Sequence, residues 1–185
     1  MDIIELISNI LVSDELKGIS QLIAIIGGLF VFYQWRHNSR LKKADYINEL
    51  TGKIRTDEII RETMYMFDYG ERWYSKEFHS SGDLERKVDK TLSYFSYICY
   101  LKSRRILTKK ELYFFQYELK RILSNQQVQD YLYNLYHFSN KMGVPMAFKY
   151  LFDHGKKEKI FSQEMYDKES YKNTNNYFHR YLNFD

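Results

Sequence analysis

The stretch GISQLIAIIGGLFVFYQW, residues 18–35, decides how this chain is built. Its eighteen residues include no charged side chain and no proline, and a basic run follows it: Arg36, Arg40, Lys42 and Lys43. At about 1.5 Å of rise per residue, a helix of this length covers roughly 27 Å, close to the ~30 Å hydrocarbon core of a bilayer. We therefore predict a single transmembrane helix over residues 18–36.

The charges on the two sides of this stretch differ in sign. The chain carries a formal net charge of +4, whereas residues 1–35 hold Asp2, Glu5, Asp14 and Glu15 against Lys17. The part that follows the apolar stretch is therefore strongly basic. Because positive loops stay on the cytoplasmic side, we expect a single-pass protein of the cell inner membrane, with its N-terminus outside and its C-terminal domain in the cytoplasm.

Small residues recur along the apolar stretch. Ser20, Ala24 and Gly28 lie four residues apart, with Gly27 beside them. Such a row allows two helix backbones to approach closely, so it predicts a homo-oligomer assembled through this face. The alternative is that glycine is simply frequent in membrane helices.

The rest of the chain predicts an all-α protein: the transmembrane helix is preceded by an amphipathic helix and followed by a cytosolic helical bundle. One proline and eight glycines favour long helices, and we find no alternating strand pattern. We divide the chain into an amphipathic N-terminal helix, the spanning helix, a juxtamembrane helix, a cytosolic helical domain and a polar aromatic tail: residues 1–17, 18–36, 37–55, 56–155 and 156–185.

Capping residues place the helices of the domain. Thr56 is expected to cap a helix that stops at Gly70, and Asp83 the next one, whose apolar face holds Leu84, Val88, Leu92, Phe95 and Cys99. The loop between them is expected to pack through Trp73, Tyr74 and Phe78.

Further along the chain, Thr108 and Glu111 form a capping box that opens a helix with Leu112, Phe115, Leu119 and Ile122 inside. Asn125 is predicted to cap a helix that ends at Gly143, with Val128, Leu132, Leu135 and Phe138 inside. Pro145 is predicted to start a short helix ending at Gly155. The tail after it is expected to be a helix against a partner subunit, or disordered.

The sequence offers little for catalysis, so we expect no enzyme, no cofactor and no metal site. The single cysteine, Cys99, excludes an intramolecular disulfide, and the five histidines lack metal-ligand spacing. Arg72 and His79 match the loose Arg-x(4–6)-His pattern of helical ribonucleases, but they span a predicted loop. Glu85 and Asp89 could act as an acid–base pair, although neighbouring Arg and Lys residues favour a salt-bridged helix surface.

A binding surface is better supported. Arg104, Arg105, Lys109 and Lys110 surround a tight turn before the capping box, where cationic side chains and free backbone N–H groups suit a phosphate. Lys120, Arg121 and Lys149 are expected to extend this surface, and three tyrosines to stack on bases: Tyr100, Tyr113 and Tyr117. Alternatively, the arginines only complement the helix dipole and the tyrosines belong to the core.

The stretch from residue 44 to residue 151 resembles a family of bacterial membrane-anchored helical proteins of unknown function, through ADYINEL, TDEIIRETMYMFDYG, FHSSGDLERKVDKTLSYFSYICYL, LTKKELYFFQYELKRIL and VQDYL. The resemblance implies a bacterial, membrane-tethered, cytosolic helical domain. In size and plan the chain is also similar to transmembrane effectors of anti-phage defence systems, including the channel effector of the Hailong type, which is paired with a nucleotidyltransferase.

These features lead to two hypotheses of function. The first is an oligomeric membrane effector of defence, an ion channel or membrane-disrupting protein gated by a nucleotide or single-stranded oligonucleotide from a nucleotide-synthesising partner enzyme. The second is a membrane-tethered scaffold or adaptor that binds another protein, without pore or enzymatic activity.

Overall fold

The structure, a computed structural model, describes residues 14–70, 72–75, 77–80 and 82–173. Within these ranges the chain is helical and contains no β-strand. The predicted all-α class is thereby confirmed. The chain divides into two compact units at the bond between Glu49 and Leu50, and each unit is described by itself.

Helix α1, Asp14–Thr56, is continuous over 43 residues. Both the spanning segment and the juxtamembrane segment lie on it, and it is long and apolar enough to cross a membrane. Its large apolar side chains between Ile19 and Trp35 are each 53–67% exposed. No described part of the chain covers them. The predicted amphipathic helix of residues 1–17 lies almost entirely outside the described residues.

After the end of α1, the described residues of the second unit form six α-helices and four 3-10 turns. The α-helices are α2 (Glu58–Tyr69), α3 (Asp83–Ser103), α4 (Lys109–Leu112), α5 (Gln116–Ser124), α6 (Gln126–Met142) and α7 (Lys149–Lys157). The 3-10 turns are Phe78–Ser80, Tyr113–Phe115, Gln163–Met165 and Ser170–Lys172. Helix α3 is the central element, because both α2 and α7 pack against it.

Apolar residues at helical spacing build the core as predicted. Val88, Leu92 and Phe95 on α3 are fully buried. The loop before α3 is also packed down as expected, since Tyr74 and Phe78 contact each other and Tyr131 with ring centroids 5.1–5.4 Å apart. Gln127 fixes this loop, because its side-chain oxygen accepts hydrogen bonds from the backbone N–H groups of residues 73 and 74.

Two of the four predicted N-caps are confirmed. Thr108 and Glu111 form the full capping box, and Asn125 accepts from the N–H of Val128. Thr56 is instead the last residue of α1, and Asp57 caps α2 by accepting from the N–H of Ile60. Asp83 is likewise the first residue of α3 rather than its cap, and its carboxylate pairs with Arg86 and Lys87.

Two predictions for the C-terminal half are wrong. Phe138 is 40% exposed, because the buried face of α6 runs instead through Tyr131, Asn134 and His137. Helix α7 begins at Lys149 rather than at Pro145 and continues through Gly155 to Lys157. The later start follows from Phe148, whose positive φ of 54° is incompatible with a right-handed helix.

Residues 160–172, within the predicted tail, pack on α6 and α7 of the same chain. Phe161 and Met165 are buried, and the Phe161 ring lies over Gly155. The hydroxyl of Tyr136 donates to the carbonyl of Tyr166 at 3.0 Å. Ser170 Oγ lies 3.0 Å from the Tyr133 hydroxyl and 3.2 Å from His137 Nε2. The remainder of the tail is outside the described residues.

Replacing Gly155 tests this packing. A Cβ at Gly155 would lie 2.4 Å from the Phe161 ring, so Gly155→Ala is expected to destabilise the protein by about 1–3 kcal/mol despite the better helix propensity of alanine. Gly52→Ala is the matched control, because no atom lies within 4 Å of that Cβ position, and it should be neutral or stabilising. Chemical denaturation of the full chain in detergent measures both, and equal stability of the two variants would contradict the packing.

The buried ring of His137 makes stability depend on pH. Burial lowers its pKa to about 4, partly opposed by Asp167. The unfolded chain protonates this residue near pH 6.5, so its contribution is complete above that pH and is lost as the pH falls towards 4, by up to about 3 kcal/mol. His137→Phe should flatten the dependence of the unfolding free energy on pH in this window, as measured by chemical denaturation at a series of pH values.

Candidate phosphate-binding surface

The predicted basic turn is fixed by the end of α3. The N–H of Ile106 donates to the carbonyl of Leu101 at 3.0 Å, and that of Arg105 to Lys102 at 3.1 Å, which together form a Schellman motif. Arg105 occupies the left-handed position of the motif, with φ of 60°, where glycine is usual. Leu107 is buried, so its side chain anchors the turn in the core of the domain.

Four cations surround this turn and are exposed: Arg104, Arg105, Lys109 and Lys110. None of them forms an ion pair with any residue that the structure describes. Other basic side chains of the domain are paired, including Lys87, Lys90 and Arg121. Four like charges held together without a counter-charge attract an anion.

The backbone contributes less to this surface than the sequence suggested. Helix α4 is only four residues long, and the side chain of Glu111 already accepts the N–H of Thr108 at 2.7 Å. A carboxylate therefore lies at the start of this helix, where we expected free N–H groups to meet a phosphate. Any phosphate at the turn would be held mainly by the arginine and lysine side chains.

A second basic terminus lies at the same end of the domain. Helices α3 and α7 run parallel, since Tyr100 contacts Tyr150 and, further along both helices, Lys102 acts electrostatically on His154. Helix α7 also ends in a Schellman motif, with Lys159 in the left-handed position at φ of 57°. Three cations of this terminus, which the sequence analysis missed, therefore add to the surface: Lys156, Lys157 and Lys159.

His154 lies within this charge cluster. Burial lowers its pKa below the usual range, and Lys102 and Lys157 lower it further, whereas Glu158 opposes them. The imidazole is therefore held neutral beside the lysines. The pattern that could have revealed the second terminus is the run GKKEK at residues 155–159, which resembles the basic end of α3.

The remaining predicted ligands are placed differently. Arg121 binds both carboxylate oxygens of Asp68 and the carbonyl of Met64, so it joins α5 to α2. Lys149 pairs with Asp153 at 2.7 Å. These two cations are engaged within the fold, whereas Lys120 is exposed and makes no ion pair with a described residue.

The three candidate tyrosines also divide into two groups. Tyr113 and Tyr117 are 74% and 70% exposed on the surface that follows the capping box. Tyr100 is half-buried between α3 and α7, with its ring against Tyr150. None of the three is fully buried in the core, and their role in stacking on a base stays a prediction.

The small-residue face of α1 is open. No atom lies within 4 Å of a Cβ built at Gly27 or Gly28, and Ser20 donates its hydroxyl to the carbonyl of Lys17. Ala24 is exposed with them. The face is thus available to another helix, and assembly through it stays a prediction.

The two acidic residues on α3 do not form the salt-bridged surface that we favoured. Glu85 Oε1 lies 2.8 Å from Nδ1 of His79, and Asp89 accepts the hydroxyl of Tyr131 at 2.8 Å. Burial raises the pKa of Asp89 above its usual range, and Glu85 raises it further. Glu85 and Asp89 of α3 therefore contact the packed loop and its neighbour α6, through His79 and Tyr131 of the aromatic cluster.

The described residues contain no group of three or more histidine, cysteine or acidic side chains arranged to hold a metal ion. Cys99 is buried in α3, and burial raises the pKa of its thiol to about 12. The thiol is consequently protonated and shielded from reagents at neutral pH.

Comparison with protein-family models, curated proteins and solved structures finds no match for this chain. Three features of the chain bear on its function. These features are the uncovered apolar helix, the exposed cations at the ends of α3 and α7, and the tyrosines beside them.

The left-handed arginine gives a direct test of the turn. Arg105→Gly removes the cost of a side chain at φ of 60°, so the free energy of unfolding should rise by about 0.5–1 kcal/mol. Arg104→Gly is the control, because its φ of −83° suits any residue, and glycine there should only destabilise. Thermal unfolding of both variants in detergent measures the difference. A loss of stability in Arg105→Gly would contradict the left-handed conformation of residue 105.

Proposed function

We propose that this chain is an oligomeric membrane effector of bacterial anti-phage defence, in which a nucleotide or oligonucleotide bound to the basic end of the helical domain controls an ion channel or a membrane-disrupting assembly. The observation that carries this proposal is the cluster of exposed cations at the ends of α3 and α7, of which Arg104, Arg105, Lys109 and Lys110 make no ion pair with a described residue. A nucleotide-synthesising enzyme would supply the ligand.

The membrane part of the proposal rests on α1. Its apolar side chains are exposed around the whole helix circumference, so they require a lipid environment or other copies of the same helix. The basic run after residue 35 orients the helical domain towards the cytoplasm. Ser20, Ala24, Gly27 and Gly28 would form the contact between copies.

The ligand part of the proposal rests on charge. A phosphate chain would neutralise Arg104, Arg105, Lys109 and Lys110, which repel one another in the free protein. Arginine and lysine side chains on a surface suit several phosphates in a row better than a single buried one. An oligonucleotide or a polyphosphorylated nucleotide fits this arrangement better than a neutral metabolite does.

A pore built by this helix would be mainly apolar. Its polar side chains are few and lie near the two ends of the span: Ser20, Gln21 and Gln34. An apolar constriction closes by expelling water and opens when the helices separate slightly. Such a pore requires only a small change in helix packing to be controlled from the cytoplasmic domain.

A scaffold or adaptor is the second candidate function. It is favoured by a group of exposed aromatic side chains on α2 and around α4: Tyr65, Tyr69, Tyr113, Phe114 and Tyr117, which are 61–82% exposed. Exposed tyrosines are typical of protein-binding surfaces. In this function the apolar helix would serve only as an anchor.

Reconstitution into liposomes tests the effector. We expect ion flux that changes when a mixture of 5′-phosphorylated tetranucleotides is added. The double variant Arg104→Ala, Arg105→Ala should lose this response, whereas Arg61→Ala with Lys168→Ala, at exposed cations elsewhere in the domain, should retain it. Gly28→Leu should reduce both the oligomer size and the flux, because leucine separates the helices, and Ile25→Leu should change neither.

Two results would decide against the effector. Absence of flux from folded protein, with or without the tetranucleotides, excludes the channel. Full biological activity after residues 18–35 are replaced by a poly-leucine span would favour the scaffold instead.

A further inference from the structure

A shallow groove of about 370 Å³ runs along the contact between α3 and α7. It is lined by Ser93, Ser96, Tyr97, Tyr100, Ala147, Phe148 and Tyr150. Tyr97 and Tyr150 are 44% and 40% exposed, so part of each side chain faces solvent. Tyr97 and Tyr100 stack at a centroid separation of 6.3 Å, and Tyr150 meets Tyr100 edge-on at 4.9 Å.

The groove also holds two serine side chains. Neither Ser93 Oγ nor Ser96 Oγ makes a hydrogen bond with any residue of the described chain. Serines elsewhere behave differently, since Ser39 and Ser139 donate to a carbonyl of the preceding turn. The hydroxyls of the groove are therefore available to a ligand as donors and acceptors.

The groove leads to the basic end of the helix pair. The N–H of Arg104 donates to the carbonyl of Tyr100, so Arg104 lies one helical turn beyond that tyrosine. One turn advances about 5.4 Å along the helix, and Tyr97 precedes Tyr100 on the same face. Serine hydroxyls, an aromatic surface and the cation of Arg104 thus follow one another, in this order, along one side of α3.

From this order we propose that the groove binds a nucleobase, which lies against the rings of Tyr97 and Tyr150 while its phosphates contact Arg104 and Arg105. The serine hydroxyls hydrogen-bond the edge of the base. In a nucleotide, the polar edge of the base, its flat π-face and the phosphates follow one another. The hydroxyls, aromatic rings and cations along α3 follow in the same order. The inference rests on the proposed function and identifies its ligand as one that carries a base.

Binding measurements on the full chain in detergent separate the two contributions. The probes are 5′-phosphorylated tetranucleotides of adenine, cytosine and uracil, and inorganic tripolyphosphate as a probe of similar charge without bases. We expect the wild type to bind at least one tetranucleotide more tightly than tripolyphosphate. Tyr97→Leu and Tyr150→Leu should each weaken the tetranucleotide by roughly 5- to 150-fold, the usual effect of losing one stacked base.

Three further variants serve as controls. Affinity for tripolyphosphate should be unchanged in both leucine variants. Tyr150→Phe should retain tetranucleotide binding, because it keeps the ring, and Tyr69→Leu, at a tyrosine on α2, should have no effect. Arg105→Gly should weaken both probes while leaving the protein at least as stable as the wild type.

The following outcomes would each overturn the base site or the phosphate surface. Equal affinity for tetranucleotides and tripolyphosphate, or leucine variants that bind tetranucleotides normally, would overturn the base site and leave the phosphate surface intact. Leucine variants that weaken both probes equally would also overturn it. Failure of the wild type to bind any of the probes would overturn the phosphate surface as well.

Discussion

The uncovered apolar surface of α1 is the constraint on which the rest of the molecule depends. Eleven large apolar side chains between Ile19 and Trp35 are exposed. At about 1.5–3 kcal/mol for each side chain moved out of water, their exposure would cost more than ~10 kcal/mol, comparable to the whole stability of a domain. Lipid or other subunits must cover this surface. The polar helical domain follows on the same polypeptide, and its first helix begins directly after α1 ends.

Most of the core could be predicted from the sequence, because apolar residues at helical spacing and capping residues act locally. Val88, Leu92 and Phe95 are buried where their spacing placed them, and the capping box at Thr108 forms as written. Helix α6 shows the limit of this reasoning. Its buried face includes Asn134 and His137, which hydrogen-bond to residues distant in sequence, and no local pattern reveals such partners.

The packing of residues 160–172 was missed for a related reason. Phe161 and Met165 belong to irregular backbone and short 3-10 turns, so they show no helical period. The burial of Phe161 depends on a contact with Gly155, a residue of α7 that has no side chain to block the ring. Tertiary contacts therefore decide which residues of this segment are buried. Its polar composition alone suggests, wrongly, that the whole segment is exposed to solvent.

The candidate site, like the core, could be predicted from the sequence only in part. The cations at residues 104–110 were predictable, because neighbours in sequence stay neighbours around a tight turn. The cations of α7 are visible in the run GKKEK at residues 155–159, but their position beside the end of α3 was not predictable. The groove beside Tyr97 and Tyr150 was not predictable either, since both features require the packing of two helices that are far apart in the chain. The basic residues and Tyr100 were therefore identified from the sequence, whereas the grouping of Tyr100 with Tyr97 and Tyr150 was not.

The burial of Cys99 has a practical consequence. The chain has no other cysteine, and this thiol is both enclosed by α3 and its neighbours and protonated at neutral pH. We therefore expect thiol reagents to leave the wild-type protein unmodified. A cysteine introduced at an exposed position would be the single labelled or cross-linked group in each subunit, so spectroscopic distances between copies can be measured without removing a native residue.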